Sequence, residues 1–119
     1  MSDKIAYWVL GSTNTWVPSL HDTIIITAYQ NYTLELPTYT AIANSFGYST
    51  LPTDFGFVFT IHCKYNCAYT ITVEPPSGVN LYNQNGDIST FAMTKGDTAT
   101  LLCTYQGGSF RYEVLSRFN

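Results

Sequence analysis

The sequence predicts an all-β protein, an antiparallel β-sandwich of the jelly-roll type with about eight short strands. Segments rich in β-branched and aromatic residues recur along the chain, and clusters of Gly, Pro, Asn and Asp separate them. No sustained helical period accompanies these segments. The predicted strands are 5–10, 23–28, 32–36, 55–63, 69–74, 88–94, 98–105 and 110–116.

Side chains alternate along three of these strands in the way that a half-buried strand requires. Apolar residues occupy one face, and Thr, Gly or Glu residues occupy most positions of the other. The three strands are therefore expected to share one core. The predicted inward residues are Phe55, Phe57, Phe59, Ile61 and Cys63 in 55–63, Tyr32, Leu34 and Leu36 in 32–36, and Tyr69, Ile71 and Val73 in 69–73.

The stretch from Pro37 to Asp54 is the one long irregular segment. It is expected to hold a helical turn around 41–45, which Gly47 and Pro52 would end. Loops of this length in compact proteins are usually functional or make contacts. The chain has no internal repeat and no linker, and 119 residues suit one domain, so 1–119 is predicted to be a single domain.

Two turn signals lie near the C-terminus. Lys95, Gly96 and Asp97 are predicted to form a tight turn between strands 88–94 and 98–105, and a Gly-Gly pair at 107–108 turns the chain again. This arrangement predicts a three-stranded meander. Gly96 is expected to need a positive φ, and the Asp97 carboxylate is expected to accept hydrogen bonds from the turn's own amides.

Charge is scarce in this composition. Charged residues make up 11% of the chain, against about 25% in an average soluble domain, and ten tyrosines contribute to an aromatic fraction of 16%. Interfaces between subunits are poor in charge and rich in Tyr, so the composition favours a subunit that packs against neighbours. An unusually neutral monomer is the alternative.

Two classes of partner are not expected. The net charge of −3 and the scattering of five Lys and Arg residues from Lys4 to Arg117 argue against nucleic-acid binding. The N-terminal apolar stretch before Gly11 is about six residues long, too short for a signal peptide or a bilayer span. The protein is therefore expected to fold in a cytoplasm, without membrane insertion.

The motif HCKYNC, residues 62–67, invites a metal hypothesis. His62 and Cys63 are adjacent on a predicted strand and point to opposite faces, and a fourth ligand is not evident, so no metal or cofactor is expected. Cys63 and Cys103 are interpreted as small buried apolar residues. A disulfide from Cys63 to Cys103 or to Cys67 is the alternative, although three cysteines leave one unpaired.

No catalytic group can be assembled from spacing. The aspartates lie mainly in predicted turns, where their side chains usually bond the local backbone. Glu35, Glu74 and Glu113 could supply a carboxylate pair for glycoside hydrolysis, but any β-rich chain would offer as much. The protein is predicted not to be an enzyme.

The order of short motifs from 23 to 116 is distinctive. Its parts are Leu36-Pro37, Ile71-Thr72-Val73, a proline and glycine turn at 75–78, Val79-Asn80-Leu81, a Gly-Asp motif at 94–101 and a final aromatic strand. This order resembles the β-sandwich modules of tailed-phage structural proteins, which are found in tail fibres, head fibres and capsid-surface appendages. Phe110 stands where such modules often carry Trp.

The resemblance implies a non-enzymatic virion protein that is made in the host cytoplasm. It also implies a homo-oligomer, with a trimer favoured, whose partners are other capsid or tail proteins. The segment 1–22 lies outside the resemblance, and with Trp8 and Trp16 it is predicted to dock the module to the particle.

The alternative function is a carbohydrate-binding module that recognises a glycan on the host surface. Tyrosines could stack on sugar rings, and amides at 83–85 could hydrogen-bond to hydroxyl groups. The residues predicted to contact a sugar or a neighbouring subunit are Trp8, Trp16, Tyr39, Tyr48, Tyr82, Tyr105 and Tyr112, with Asn83, Gln84 and Asn85.

Overall fold

The computed structural model describes residues 4–10 and 16–118. This part of the chain is mostly β, as predicted, with ten strands and one short helix. In chain order the elements are β1 (Ile5–Leu10), β2 (Thr23–Ala28), β3 (Tyr32–Glu35), α1 (Tyr39–Ser45), β4 (Phe55–Cys63), β5 (Ile71–Glu74), β6 (Asn80–Asn83), β7 (Gly86–Ile88), β8 (Phe91–Met93), β9 (Thr98–Gln106) and β10 (Ser109–Phe118).

The described strands form two sheets. The large sheet has seven strands in the order β1-β2-β4-β9-β10-β6-β7, and the small sheet has three in the order β3-β5-β8. The prediction of antiparallel pairing is wrong for half of the strand pairs, because β1–β2, β2–β4, β3–β5 and β6–β10 are parallel. A jelly roll is antiparallel throughout, so these pairs depart from it. Side-chain alternation is the same in both directions, which is why the sequence does not reveal them.

Most predicted strands lie where the structure has them, and 5–10, 23–28 and 55–63 coincide with β1, β2 and β4. The predicted strand 88–94 is wrong as one element, because the chain changes sheets within it. Its first residue ends β7 in the large sheet, whereas Phe91–Met93 forms β8 in the small sheet. Strand β6, at Asn80–Asn83, was not predicted.

The buried side chains of both sheets form one core cluster. The inward positions predicted for 55–63 and 32–36 are all buried or half-buried, which confirms the alternation there. In the third strand Ile71 and Val73 are fully buried, but Tyr69 is 40% exposed, so its predicted inward position is wrong. Tyr69 precedes β5, which begins only at Ile71 and therefore imposes no alternation on it.

The turn at 95–97 carries the chain from one sheet to the other. Strand β8 pairs with β5, and β9 pairs with β4 and β10, so the predicted three-stranded meander is wrong. The backbone prediction for Gly96 is confirmed by its φ of 81°. The prediction for Asp97 is confirmed as well, because its carboxylate accepts hydrogen bonds from the Thr94 amide at 2.8 Å and the Thr94 hydroxyl at 3.3 Å.

This crossing turn is bonded to the end of β4. The Cys63 amide donates to the Asp97 carbonyl at 2.8 Å, and the Gly96 amide donates to the Cys63 carbonyl at 2.9 Å. These two hydrogen bonds attach the turn to the large sheet. The second predicted turn, at Gly107 and Gly108, joins the antiparallel pair β9 and β10 as expected.

Helix α1 packs the irregular segment against the core. Thr38 caps it, since its hydroxyl accepts the Ala41 amide at 3.1 Å, and Ile42 and Ala43 are buried. The helix is longer than the single turn predicted at 41–45. Just before it, the Pro37 carbonyl accepts a 2.6 Å hydrogen bond from the hydroxyl of Tyr112, a fully buried residue of β10.

Gly96→Val is expected to lower the free energy of unfolding by about 1–3 kcal/mol, because a β-branched residue is strained at positive φ. Nothing lies within 4 Å of a Cβ atom at this position, so the cost comes from the backbone and not from a clash. Gly96→Asn is the control, since Asn tolerates the left-handed region. Equal melting temperatures for the parent and the Val variant would contradict this assignment.

Tyr112→Phe is expected to cost about 1–3 kcal/mol, because it leaves the Pro37 carbonyl without its hydrogen bond in the interior. Urea unfolding measures the loss. The matched control is Tyr82→Phe, which removes a hydroxyl that accepts from Asn80 at an exposed site and should change stability by less than about 0.5 kcal/mol. Equal losses in the two variants would argue against a structural role for the Tyr112 bond.

Candidate functional site

The outer side of the large sheet consists mainly of half-buried and exposed side chains. Strand registers place these side chains in four main rows that run across the sheet. We call these residues the outward face. The rows are Ile5, Thr23, Thr60, Thr100 and Ser116; Tyr7, Ile25, His62, Thr98 and Phe118; Val58, Leu102, Glu113, Tyr82 and Asp87; and Gly56, Thr104, Arg111 and Asn80.

Charge on the outward face is confined to the strands from β10 to β7. The charged residues are Arg111 and Glu113 on β10 and Asp87 on the edge strand β7, beside Tyr82. The remaining positions carry mainly apolar and hydroxyl side chains, with Tyr7 65% exposed, Val58 48% exposed and Phe118 67% exposed. Where one face of a sheet meets water, the strands usually carry polar and charged residues on that face. By comparison, the outward face is unusually apolar.

Three threonines in the centre of this face have side-chain partners on a neighbouring strand. The Thr60 and Thr100 hydroxyls are 3.3 Å apart, and the Thr98 hydroxyl lies 2.8 Å from Nδ1 of His62. The Thr104 hydroxyl is buried and has no hydrogen-bond partner in the described part of the chain. His62 therefore lies outward while Cys63 lies in the core, as the strand alternation predicted.

Sequence reasoning did not identify this face as a site. Its signal was present, since positions opposite the inward residues of 55–63 and 98–105 carry Thr, Val, His and Leu and no charged residue. Only the register between strands shows that they join into one continuous surface.

The predicted contact tyrosines do not line a common groove. Tyr39 packs edge-on against Tyr105 at 5.2 Å and against Phe110 at 5.6 Å, and its hydroxyl accepts the Leu51 amide at 2.8 Å. Tyr48 is 42% exposed and lies 6.2 Å from the ring of Phe55. These rings hold the segment around α1 against the large sheet.

Two grooves contain other predicted contact residues. Asn83, Gln84 and Asn85 line a groove of about 660 Å³ between β7 and the end of β10. Trp8 and Trp16 line a second groove of about 590 Å³, bounded by β1, α1 and the residues after β3. The proposed docking segment 1–22 contributes β1 to the large sheet, and its residues 1–3 and 11–15 lie outside the described residues.

The three cysteines are free thiols and all are buried. Burial raises the pKa of Cys63 and of Cys103 to about 12. At Cys67 burial also acts upward, but hydrogen bonds with the Tyr69 and Ala28 backbone outweigh it, so the pKa is lowered. Within residues 4–10 and 16–118, no group of three His, Cys, Asp or Glu side chains could hold a metal ion.

The glutamates considered as a carboxylate pair are divided between the sheets. Glu35 and Glu74 stand directly opposite each other in β3 and β5, whereas Glu113 lies on β10 of the large sheet. The Asp22 carboxylate accepts a hydrogen bond from the Thr23 hydroxyl at 3.3 Å and lies 3.9 Å from the Lys4 ammonium.

No family model matches the chain, and neither the curated proteins nor the solved structures give a significant match. Among the described residues no helix is both long and apolar enough to cross a bilayer.

Stability is expected to fall as pH rises from about 9 to about 12. Folded Cys63 and Cys103 keep their protons up to about pH 12, whereas the unfolded thiols release theirs near 9.0, so above pH 9 the unfolded state binds fewer protons. The stabilisation is complete below pH 9 and is lost toward pH 12.

Urea unfolding across this range, compared between the parent and Cys103→Ala, isolates one thiol. The variant should lose stability with pH less steeply, because the contribution of the Cys103 thiol is gone. Leu101→Ala is the control and should keep the parent's slope, since it shortens a buried side chain of the same strand without removing a titratable group. Identical slopes for the parent and Cys103→Ala would contradict the expectation that burial raises the pKa of Cys103.

Proposed function

We propose that the protein is a non-enzymatic structural subunit of a tailed-phage virion, an appendage of the capsid surface, the tail or its fibres. Its two sheets would be the layers of a β-sandwich whose protomers join through the outward face. The resemblance of the motif order from 23 to 116 to tailed-phage modules supports the virion class. The partners are then other capsid or tail proteins, and assembly follows synthesis in the host cytoplasm.

The outward face is the observation that carries the assembly part of this proposal. Burying an apolar surface stabilises a complex by about 25 cal/mol per Å², and exposed apolar side chains gain most. Val58 and Leu102 are cross-strand neighbours on β4 and β9, and the nearest charged residue of their row is Glu113, which stands opposite Leu102 on β10. A contact that covers β1, β2 and β4 would therefore remove apolar area from water and leave Glu113 outside it.

The resemblance to tailed-phage modules favours a trimer. Three protomers that turn the part of the outward face on β1, β2 and β4 toward a common axis would exclude water from it, while Arg111 and Glu113 on β10 stay outside the contact. The low charge of the whole chain, 11% of residues, supports the same conclusion. A monomer would leave the apolar rows in water.

The mass in solution tests the assembly. At micromolar concentration three chains of 13.3 kDa should give a species of about 40 kDa by light scattering. Val58→Lys places a charge in the middle of the outward face and should shift this species toward the monomer, because the interface would then bury an unpaired charge.

Thr33→Lys is the matched control, since Thr33 is an exposed strand residue of the small sheet. It should leave the mass unchanged. A monomeric mass at all concentrations would contradict the proposed oligomer. An oligomer that survives Val58→Lys would show that its interface lies elsewhere.

A further inference from the structure

The second groove combines an aromatic wall with free polar groups. Its volume of about 590 Å³ lies within the range of small-molecule sites, about 300–1,000 Å³. Its lining includes the indole of Trp8 on β1, Leu36 and Pro37 after β3, and residues of α1. Sites of this kind are mostly apolar with a few polar groups that fix the ligand's orientation.

The aromatic wall is held in place from behind. Trp8 is half-buried, and its ring lies 6.3 Å from that of Trp16 at an angle of 37°. Trp16 is 7% exposed, packs on Phe59 at 5.3 Å and donates its indole N–H to the His21 carbonyl at 3.2 Å. Trp8 therefore presents one face to the groove on a rigid support, which reduces the ordering cost of binding.

The polar groups at the rim are Glu35 and Asn44. Both are exposed, and neither side chain has a hydrogen bond or an ion pair with a described residue. A carboxylate accepts hydrogen bonds only, whereas an amide both donates and accepts. The groove has no lysine or arginine among its lining residues, so Glu35 leaves it with a single negative charge.

This combination matches the chemistry of a neutral sugar. A pyranose has an apolar C–H face that stacks on an aromatic ring, and hydroxyl groups at its edge that donate and accept hydrogen bonds. An anionic ligand would meet the Glu35 carboxylate without a compensating cation. We propose that the groove between Trp8 and α1 binds a neutral saccharide, stacked on Trp8 and hydrogen-bonded to Glu35 and Asn44.

This inference is independent of the assembly proposed above. The groove lies beside β3 and α1, whereas the outward face is on the opposite side of the large sheet. On a virion appendage the site would recognise a host-surface glycan. Of the residues that the sequence suggested for sugar or subunit contact, the groove contains Trp8 and Trp16 and none of the tyrosines or the amides at 83–85.

Tryptophan fluorescence provides the test, because both tryptophans of the chain line the groove. The probes are linear neutral hexasaccharides of β-1,4-linked glucose, α-1,4-linked glucose and β-1,4-linked N-acetylglucosamine. At least one should change the emission in a saturable way and show saturation-transfer NMR signals from its ring C–H protons. Trp8→Ala should weaken that binding about tenfold or more, and Trp8→Phe should restore part of it.

Glu35→Lys and Asn44→Ala keep the test decisive if Trp8→Ala fails to fold, because both positions are exposed. Each should weaken binding several-fold with an unchanged melting temperature. Tyr29→Ala, at an 80% exposed aromatic outside the groove, is the control and should bind as the parent does. The proposal is overturned by an absence of saturable binding to all three saccharides, by undiminished affinity in Trp8→Ala or Glu35→Lys, or by binding of a proline-rich peptide alone.

Discussion

The structure depends on the difference in size between its two sheets. The three strands of the small sheet must cover the inner side of a sheet of seven strands. The small sheet buries the middle of the core, where Phe59, Ile71 and Met93 are fully inaccessible. Beyond its two edge strands, other groups have to cover the apolar interior. On the side of β3 this cover is Trp16 with α1, and on the side of β8 it is Arg117, whose guanidinium lies 5.1 Å above the ring of Phe91. Both grooves lie along these two seams.

Local patterns in the sequence were enough for the class of fold and for most of the core. Alternation placed Phe59 and Ile61 inward because a half-buried strand has a period of two, and this holds whichever strand lies beside it. Strand direction and sheet membership could not be predicted in the same way. They depend on which distant segments pair, and the two residues between β7 and β8 carry no signal that the chain changes sheets.

The same distinction between local pattern and distant pairing applies to the candidate surfaces. The low charge predicted that the protein contacts neighbours, but composition does not say which residues make the contact. Only the register between strands shows that Val58, Leu102 and the threonines belong to one face. The sequence singled out both tryptophans as contact residues, and the structure gives them different surroundings. Trp16 is a core residue with a satisfied indole, and Trp8 keeps one face toward a groove. That difference arises from the packing of Trp16 on Phe59, which no local pattern encodes.

The parallel strand pairs have a consequence for the speed and order of folding. In the hairpins β6–β7 and β9–β10, paired residues are close in sequence, so the entropy lost on closing each loop is small. By contrast, Thr23 pairs with Thr60 and Tyr32 pairs with Ile71, and each contact closes a long loop before any packing compensates for it. Topologies dominated by such distant pairings fold in about milliseconds to seconds. Until its parallel pairs form, the nascent chain therefore leaves the strand edges of β2 and β3 open to other chains.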